Sequence, residues 1–413
     1  MLLILALIIL FVVFVLVDKK RAGFINKWWP FIALSLVVFE VALLKNIFIN
    51  LVSLNDLWHL GPTFYYLSGL ILSTSVVIKF TNENDISDRL MVLITTLTVG
   101  VFISANFIVA LILIELITLI ETLYLHKSAK HRDVFANTYY TLISLPLLML
   151  LVLFLSLDYS MVRHFGVVPS TIFLVWVLLK ALLPMHTNNT SSETKVDLLK
   201  IFKLGSLIYV LNLFYGEQLS DFGKPNFELL CYLAIIPAIL FAARMLGAKT
   251  RVEFAGCMQL VYFFISSASI IFISYGDGLR LVQDFFLITI LLMILVSISE
   301  LKLIQHTIGV KLLALVSVLG ISVLPFGRTH YLFITFRELI IEKGAIMQNG
   351  LMVLLVILMT TAILKITISE AIVNKTHYHA RRPKELLLIA GAVIVLIILI
   401  MNQQLLNTVI GQY

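Results

Sequence analysis

Apolar runs long enough to cross a lipid bilayer recur along almost the whole chain, separated by short charged or turn-rich segments. A spanning helix needs about 20 such residues, because oil offers backbone groups no partner and each must be satisfied within its own helix. The runs predict helices near 1–17, 30–49, 62–79, 89–104, 106–125, 137–157, 168–185 and 198–214, and again near 227–246, 256–275, 282–299, 309–326, 349–373 and 386–403. Residues 327–348 form a mixed amphipathic stretch that reads as a re-entrant or interfacial half-helix continuing the twelfth span. The pair at 89–104 and 106–125 is punctuated only by Ser104, Ala105 and Asn106. The fold class expected is therefore all-α integral membrane, with about fourteen transmembrane helices in one polytopic domain over 1–413. The first run lacks a basic leader and a small-residue cleavage site, so Met1 to Val17 reads as a retained helix.

Composition supports this class. Charged residues make up 13% of 413 positions, about half the share found in soluble domains. The net charge of +7 could suggest a nucleic-acid partner, but the basic residues are sorted by loop instead of gathered in a patch. Twenty of the 30 lysines and arginines follow odd-numbered helices, among them Lys19, Lys20, Lys127, Arg244, Arg251, Lys302 and Arg381. Seven lie on the opposite loops, including Arg163, Arg280, Arg328 and Arg337. By the positive-inside rule the odd loops are cytoplasmic and both termini lie outside. Cys231 and Cys257 lie inside apolar runs and read as packing residues.

Three lysines, Lys180, Lys203 and Lys365, fall within apolar spans, where a charge costs several kcal/mol unless it is paired, hydrated or neutral. Glu115 lies mid-helix, where it is either a neutral acid bonding a neighbouring helix or a carboxylate held by a cation. Glu121 lies six residues further along, faces a different direction and is expected to reach the headgroups. Pro184 removes the backbone donor that would bond the Lys180 carbonyl, a break that oil tolerates only inside protein or beside a wet cavity. Lys200 and Lys203 share a helix face, with Lys200 near enough to the interface to snorkel and Lys203 one turn deeper. His186, in the turn that follows, is either a turn-stabilising donor or a relay member. Desolvation disfavours an ammonium and a nearby carboxylate restores it, so Glu115, Lys180 and Lys203 form a plausible proton wire driven by pair switching.

These residues bring a family into view. The chain resembles the antiporter-like subunits of respiratory complex I, the large Mrp antiporter subunits and the membrane arms of energy-converting hydrogenases. IELITLIETL at 114–123 is similar to the family's fifth-helix motif, which makes Glu115 its key glutamate. LLKALLPMHT at 178–187 resembles the seventh-helix pattern through Lys180, Pro184 and His186, with Met185 in place of an aromatic residue. KIFKLGSLIYVLNLF at 200–214 puts Lys203 at the relay position, and RVEFAGCMQLVYFFISS at 251–267 resembles the linker entering the tenth helix. VLGISVLPFGRTHYLF at 318–333 resembles the broken twelfth helix, with Pro325 at the break and Arg328, or else His330, in place of the terminal lysine. The eleventh run, FFLITILLMILVSISEL, has no central His or Lys, its polar residues being Ser297, Ser299 and Glu300; Lys365 on the thirteenth could compensate or could reach the cytoplasmic interface.

The resemblance implies N-terminal helices over 1–80, inverted five-helix repeats over 89–214 and 227–373, broken helices 7 and 12, and a C-terminal helix over 386–413. It implies a proton-translocating subunit of a multi-subunit redox-driven complex, closest to subunit N of NADH–quinone oxidoreductase. Such a subunit has no redox site of its own and works against other membrane subunits and the bilayer, in a bacterial or mitochondrial inner membrane. No cofactor is expected, since the chain has no cysteine cluster, haem-ligand pair or Gly-rich phosphate loop. Two alternatives remain: a cation/proton antiporter or inorganic-carbon transport subunit with a soluble partner, and a structural subunit whose channel has decayed.

Overall fold

The computed structural model describes residues 9, 29, 32–33, 67–75, 88–104, 106–128, 131–156, 168–182, 198–215, 226–248, 251–300, 317–323 and 327–372. The expected spans near 1–17, 30–49 and 386–403, together with Pro184, His186 and Pro325, lie outside those residues except for Ile9, Ile32 and Ala33. Beyond a helical stretch at 67–75, ten helices are labelled in chain order. The first five are α1 (Asp88–Ile103), α2 (Phe107–Ser128), α3 (His131–Ser156), α4 (Val168–Leu182) and α5 (Leu198–Leu213). The second five are α6 (Phe227–Gly247), α7 (Arg251–Ile270), α8 (Tyr275–Glu300), α9 (Arg328–Glu342) and α10 (Ile346–Ile372).

Helix boundaries have local causes. Asn106 separates α1 from α2 because its side-chain oxygen accepts from the backbone N–H of Ile108 at 2.9 Å and Val109 at 3.4 Å, satisfying donors that a helix start leaves orphaned. Asn226 does the same for α6, accepting from Glu228 and Leu229. At the start of α8, Ser274 accepts from the Asp277 N–H at 3.2 Å while its hydroxyl donates to the Asp277 carboxylate at 2.7 Å. That reciprocal cap starts α8 at Tyr275 and not near 282, with only residues 271–274 turning between it and α7. Inside the helices, Thr98, Thr118, Ser266, Ser267, Ser269 and Thr360 turn their hydroxyls back onto carbonyls four residues earlier, so these polar groups need no solvent.

Four stretches are long and apolar enough to cross a membrane: Phe227–Gly247, Glu253–Ile270, Tyr275–Val296 and Ile346–Ile366. Leu90–Ile103, Thr141–Leu153 and Val168–Ala181 are shorter apolar segments. Outward faces are apolar as well. Ile108, Ile112, Leu116, Leu119 and Leu123 line one side of α2, and Leu229, Leu233, Ile236 and Leu240 one side of α6, all exposed. Helices apolar on both the packed and the exposed side suit a surrounding of lipid, and the fold is compatible with a membrane-embedded protein.

α5 is the seam of the assembly. It packs against α1, α2 and α4 on one side and α7 and α8 on the other. Two glycine contacts set how closely it meets α8, where a Cβ on Gly205 would fall 2.5 Å from the Phe286 ring and one on Gly278 1.8 Å from the Asn212 side-chain oxygen. Asn212 cannot swing away freely, because it is buried and donates to the Tyr275 carbonyl at 3.1 Å. Gly278→Ala is therefore expected to destabilise the fold by about 1–3 kcal/mol, as overpacking of a tight contact does. Adding Asn212→Ser should recover part of that loss in thermal unfolding of the detergent-solubilised protein.

Candidate functional site: two buried glutamate–lysine pairs and an arginine–aspartate pair

An aromatic wedge positions the first pair. Phe173 of α4 stacks on Phe214 at 4.1 Å and packs against Phe107 of α2, anchoring α4 between α2 and the end of α5. One turn on, the Trp176 indole N–H donates to Glu115 Oε1 at 3.1 Å. One further turn brings Lys180 Nζ to the other carboxylate oxygen, Oε2, at 2.6 Å. Both oxygens of Glu115 are thus engaged by residues four apart on one face of α4. The Lys180 side chain is fully buried and that of Glu115 is 15% exposed.

The second pair belongs to the same helix. Glu121 does not reach the headgroups as its place near the end of the run suggests. Its side chain is 1% exposed, and Oε2 accepts from Lys203 Nζ of α5 at 2.7 Å. Six residues of helix rise by about 9 Å and rotate by about 600°, so the two glutamates point at different neighbours: Glu115 at α4 and Glu121 at α5. Lys180 lies within electrostatic range of both Glu121 and Lys203. Sequence reasoning anticipated Glu115, Lys180 and Lys203 as a set, and the structure brings them together with Glu121 as a fourth member.

The third pair was missed. Asp284 lies more than two turns inside α8, is 2% exposed and accepts through Oδ1 from Arg328 Nη1 at 3.3 Å. The run expected near 282–299 thus has no central His or Lys but carries a buried carboxylate close to its start. Arg328 opens α9, and a short helical stretch before it ends at Ile321, seven residues earlier. The freed carbonyls find side chains, since the Thr329 hydroxyl donates to Ile321 at 2.9 Å and His330 Nδ1–H donates to Val323 at 2.8 Å. Gly327 is required there, as a Cβ would fall 1.8 Å from the Ser322 carbonyl oxygen. His330 thus holds the break together while Arg328 faces Asp284.

Lys365 is exposed and its ammonium donates to the Leu246 carbonyl at the C-terminal end of α6, where a cation meets the negative end of the helix dipole. Lys365→Ala is accordingly expected to change stability by less than about 1 kcal/mol, the scale of an exposed helix-end charge, measured by thermal unfolding.

Among the described residues, no group of His, Cys, Asp or Glu could hold a metal ion. Ser206 Oγ on α5, Gln259 Nε2 on α7 and Thr289 Oγ1 on α8 are buried polar atoms with no hydrogen-bond partner among the described residues. No protein-family model matches this sequence, and no curated protein matches it.

Proposed function

We propose that the chain is a proton-translocating, antiporter-like membrane subunit of a multi-subunit redox-driven complex of the NADH–quinone oxidoreductase type. The observation that carries this reading is the pair of salt bridges Glu115–Lys180 and Glu121–Lys203, four ionisable groups kept together in a fold otherwise built for oil. Charges in such a setting are costly, and their retention is a mark of ion or proton pathways.

The chemistry follows from the geometry. Glu115 favours the charged form of Lys180 while it faces it. When the Glu115 charge is withdrawn or neutralised, by a shift in an adjacent subunit, the ammonium loses its partner in a low-dielectric setting and its proton becomes transferable. Glu121 and Lys203, one helix over, form the next station. Ser206 lies one turn from Lys203, and together with Gln259 and Thr289 it supplies polar atoms of the kind that internal water satisfies. In this reading the chain has about fourteen spans with both termini outside and inverted repeats over 89–214 and 227–373. It resides in an energy-coupling membrane, bacterial or mitochondrial.

The decisive experiment replaces Lys180 by arginine and follows proton flux in membrane vesicles carrying the whole complex. Arginine preserves the charge and can hold Glu115, yet it does not give up its proton. Assembly is expected to persist and flux to fall to background. Undiminished flux would remove Lys180 as a carrier. A wild-type flux that follows a sodium gradient and ignores redox turnover would favour the cation/proton antiporter instead.

A further inference from the structure

The outer end of this relay is marked by Arg328, yet a guanidinium does not release a proton at any accessible pH. Its partner can. Glu121 and Asp284 are the buried carboxylates among the described residues, and Asp284 Oδ2 has no hydrogen-bond partner among those residues while Oδ1 takes the Arg328 guanidinium at 3.3 Å. A buried acceptor left open in this way calls for a reason beyond packing.

The surroundings supply one. Asp277, Arg280 and Asp284 are spaced i, i+3 and i+7 on α8 and share a face, as do Arg328 and Tyr331 on α9. The Arg280 guanidinium lies over the Tyr331 ring at 3.9 Å, and the Tyr331 hydroxyl donates to Asp277 at 3.3 Å. Asp277 and Arg280 are exposed at the Ser274 turn, which the charge pattern places on the outer side. A polar track about 10 Å long, seven residues of helix rise, therefore leads from the buried Asp284 to the surface. From α7, the Tyr262 hydroxyl faces the same region but is committed to the Leu281 carbonyl at 3.1 Å. The groups acting on Asp284 are thus Arg280 on its own helix, Arg328 on α9 and Tyr262 on α7, while Tyr331 of α9 sits further out against Arg280 and Asp277.

We propose that Asp284 is the residue that takes up and releases the proton at the outer end, with Arg328 and Arg280 fixing the field around it and Tyr331 covering the way out. An O–H bond forms at Oδ2 as the donor's bond to hydrogen breaks. That bond is then broken in favour of water at the Ser274 turn, and no electrons are exchanged. The proposal rests on the relay reading above and names its terminal carrier.

The test compares Asp284→Asn, Asp284→Glu and Arg328→Lys in vesicles carrying the full complex, alongside infrared difference spectra of the purified complex across a pH titration. Asp284→Asn should reduce proton flux to background. Asp284→Glu should keep a measurable share, and Arg328→Lys should keep most of it because the positive charge remains. The wild-type spectrum should contain a carboxylic-acid carbonyl band that is missing in Asp284→Asn and shifted in Asp284→Glu. Wild-type flux in Asp284→Asn, or an unchanged carbonyl band in that variant, overturns the proposal and leaves the Lys180 reading standing. Undiminished flux in Lys180→Arg strikes that reading instead, while the infrared band still decides whether Asp284 titrates. Should Asp284→Asn fail to assemble, the Asp284→Glu band shift decides by itself, and an unshifted band overturns the proposal.

Discussion

Replacing Lys180 alone by methionine is expected to destabilise the protein by about 3–5 kcal/mol, whereas Lys180→Met combined with Glu115→Gln should be neutral or even stabilising by about 1–4 kcal/mol. The asymmetry follows from what each change leaves behind. Lys180 is fully buried and Glu115 partly so, and the two oxygens of Glu115 are shared between the Lys180 ammonium and the Trp176 indole. Removing the ammonium alone leaves a largely buried carboxylate held by one neutral donor. Removing both charges leaves an amide that can still accept from Trp176. Chemical unfolding in mixed micelles, followed by tryptophan fluorescence, measures both variants. Proton flux separates the two roles of the pair: the double variant should fold as well as wild type and translocate nothing. A double variant as unstable as the single one would mean that the pair holds α2 to α4 by more than the mutual need of its charges.

The legible and illegible parts of this molecule differ for physical reasons. Helix positions were largely readable because the solvent that selects them, oil, demands unbroken apolar runs; the expected starts at 168, 198 and 227 are those of α4, α5 and α6. Lys180 and Lys203 stood out because a lone charge in such a run has no ordinary explanation. Glu121 was misread because its distance along the run from the helix end stood in for depth, whereas burial depends on which neighbour covers that face. Here α5 covers it and brings Lys203. Asp284 is easily passed over in the sequence because the apolar run near 282–299 begins only two residues before it, where a charge reads as part of a helix end. The helix in fact starts two turns earlier, under a Ser274–Asp277 cap that a sequence of the form Ser-x-x-Asp announces. The spacing of Asp277, Arg280 and Asp284 was then the available signal of a charged face. What no periodicity discloses is the pairing itself, since α2 with α5 and α8 with α9 are contacts of tertiary packing.

Glu121→Gln is expected to lower proton flux as severely as Glu115→Gln, and the double variant to be no worse than the poorer of the two. Stations in series behave in this way, because a relay broken once conducts nothing further that a second break could remove. The two glutamates sit about 9 Å apart on one rigid helix, and Lys180 feels the charges of both Glu121 and Lys203. A change at one pair should therefore be felt at the other. In stability, a cycle between Lys180→Met and Lys203→Met should show a coupling of at least about 0.5 kcal/mol, beyond the error expected of independent sites. The sign is informative. Two lysines repel and each single variant already relieves that repulsion, so the double variant should be more destabilised than the two single variants together. Additive stabilities together with full flux in Glu121→Gln would make Glu121–Lys203 a structural clamp between α2 and α5. The path from Lys180 toward α8 would then have to avoid Lys203, and the seam helix would serve as a wall and no longer as a station.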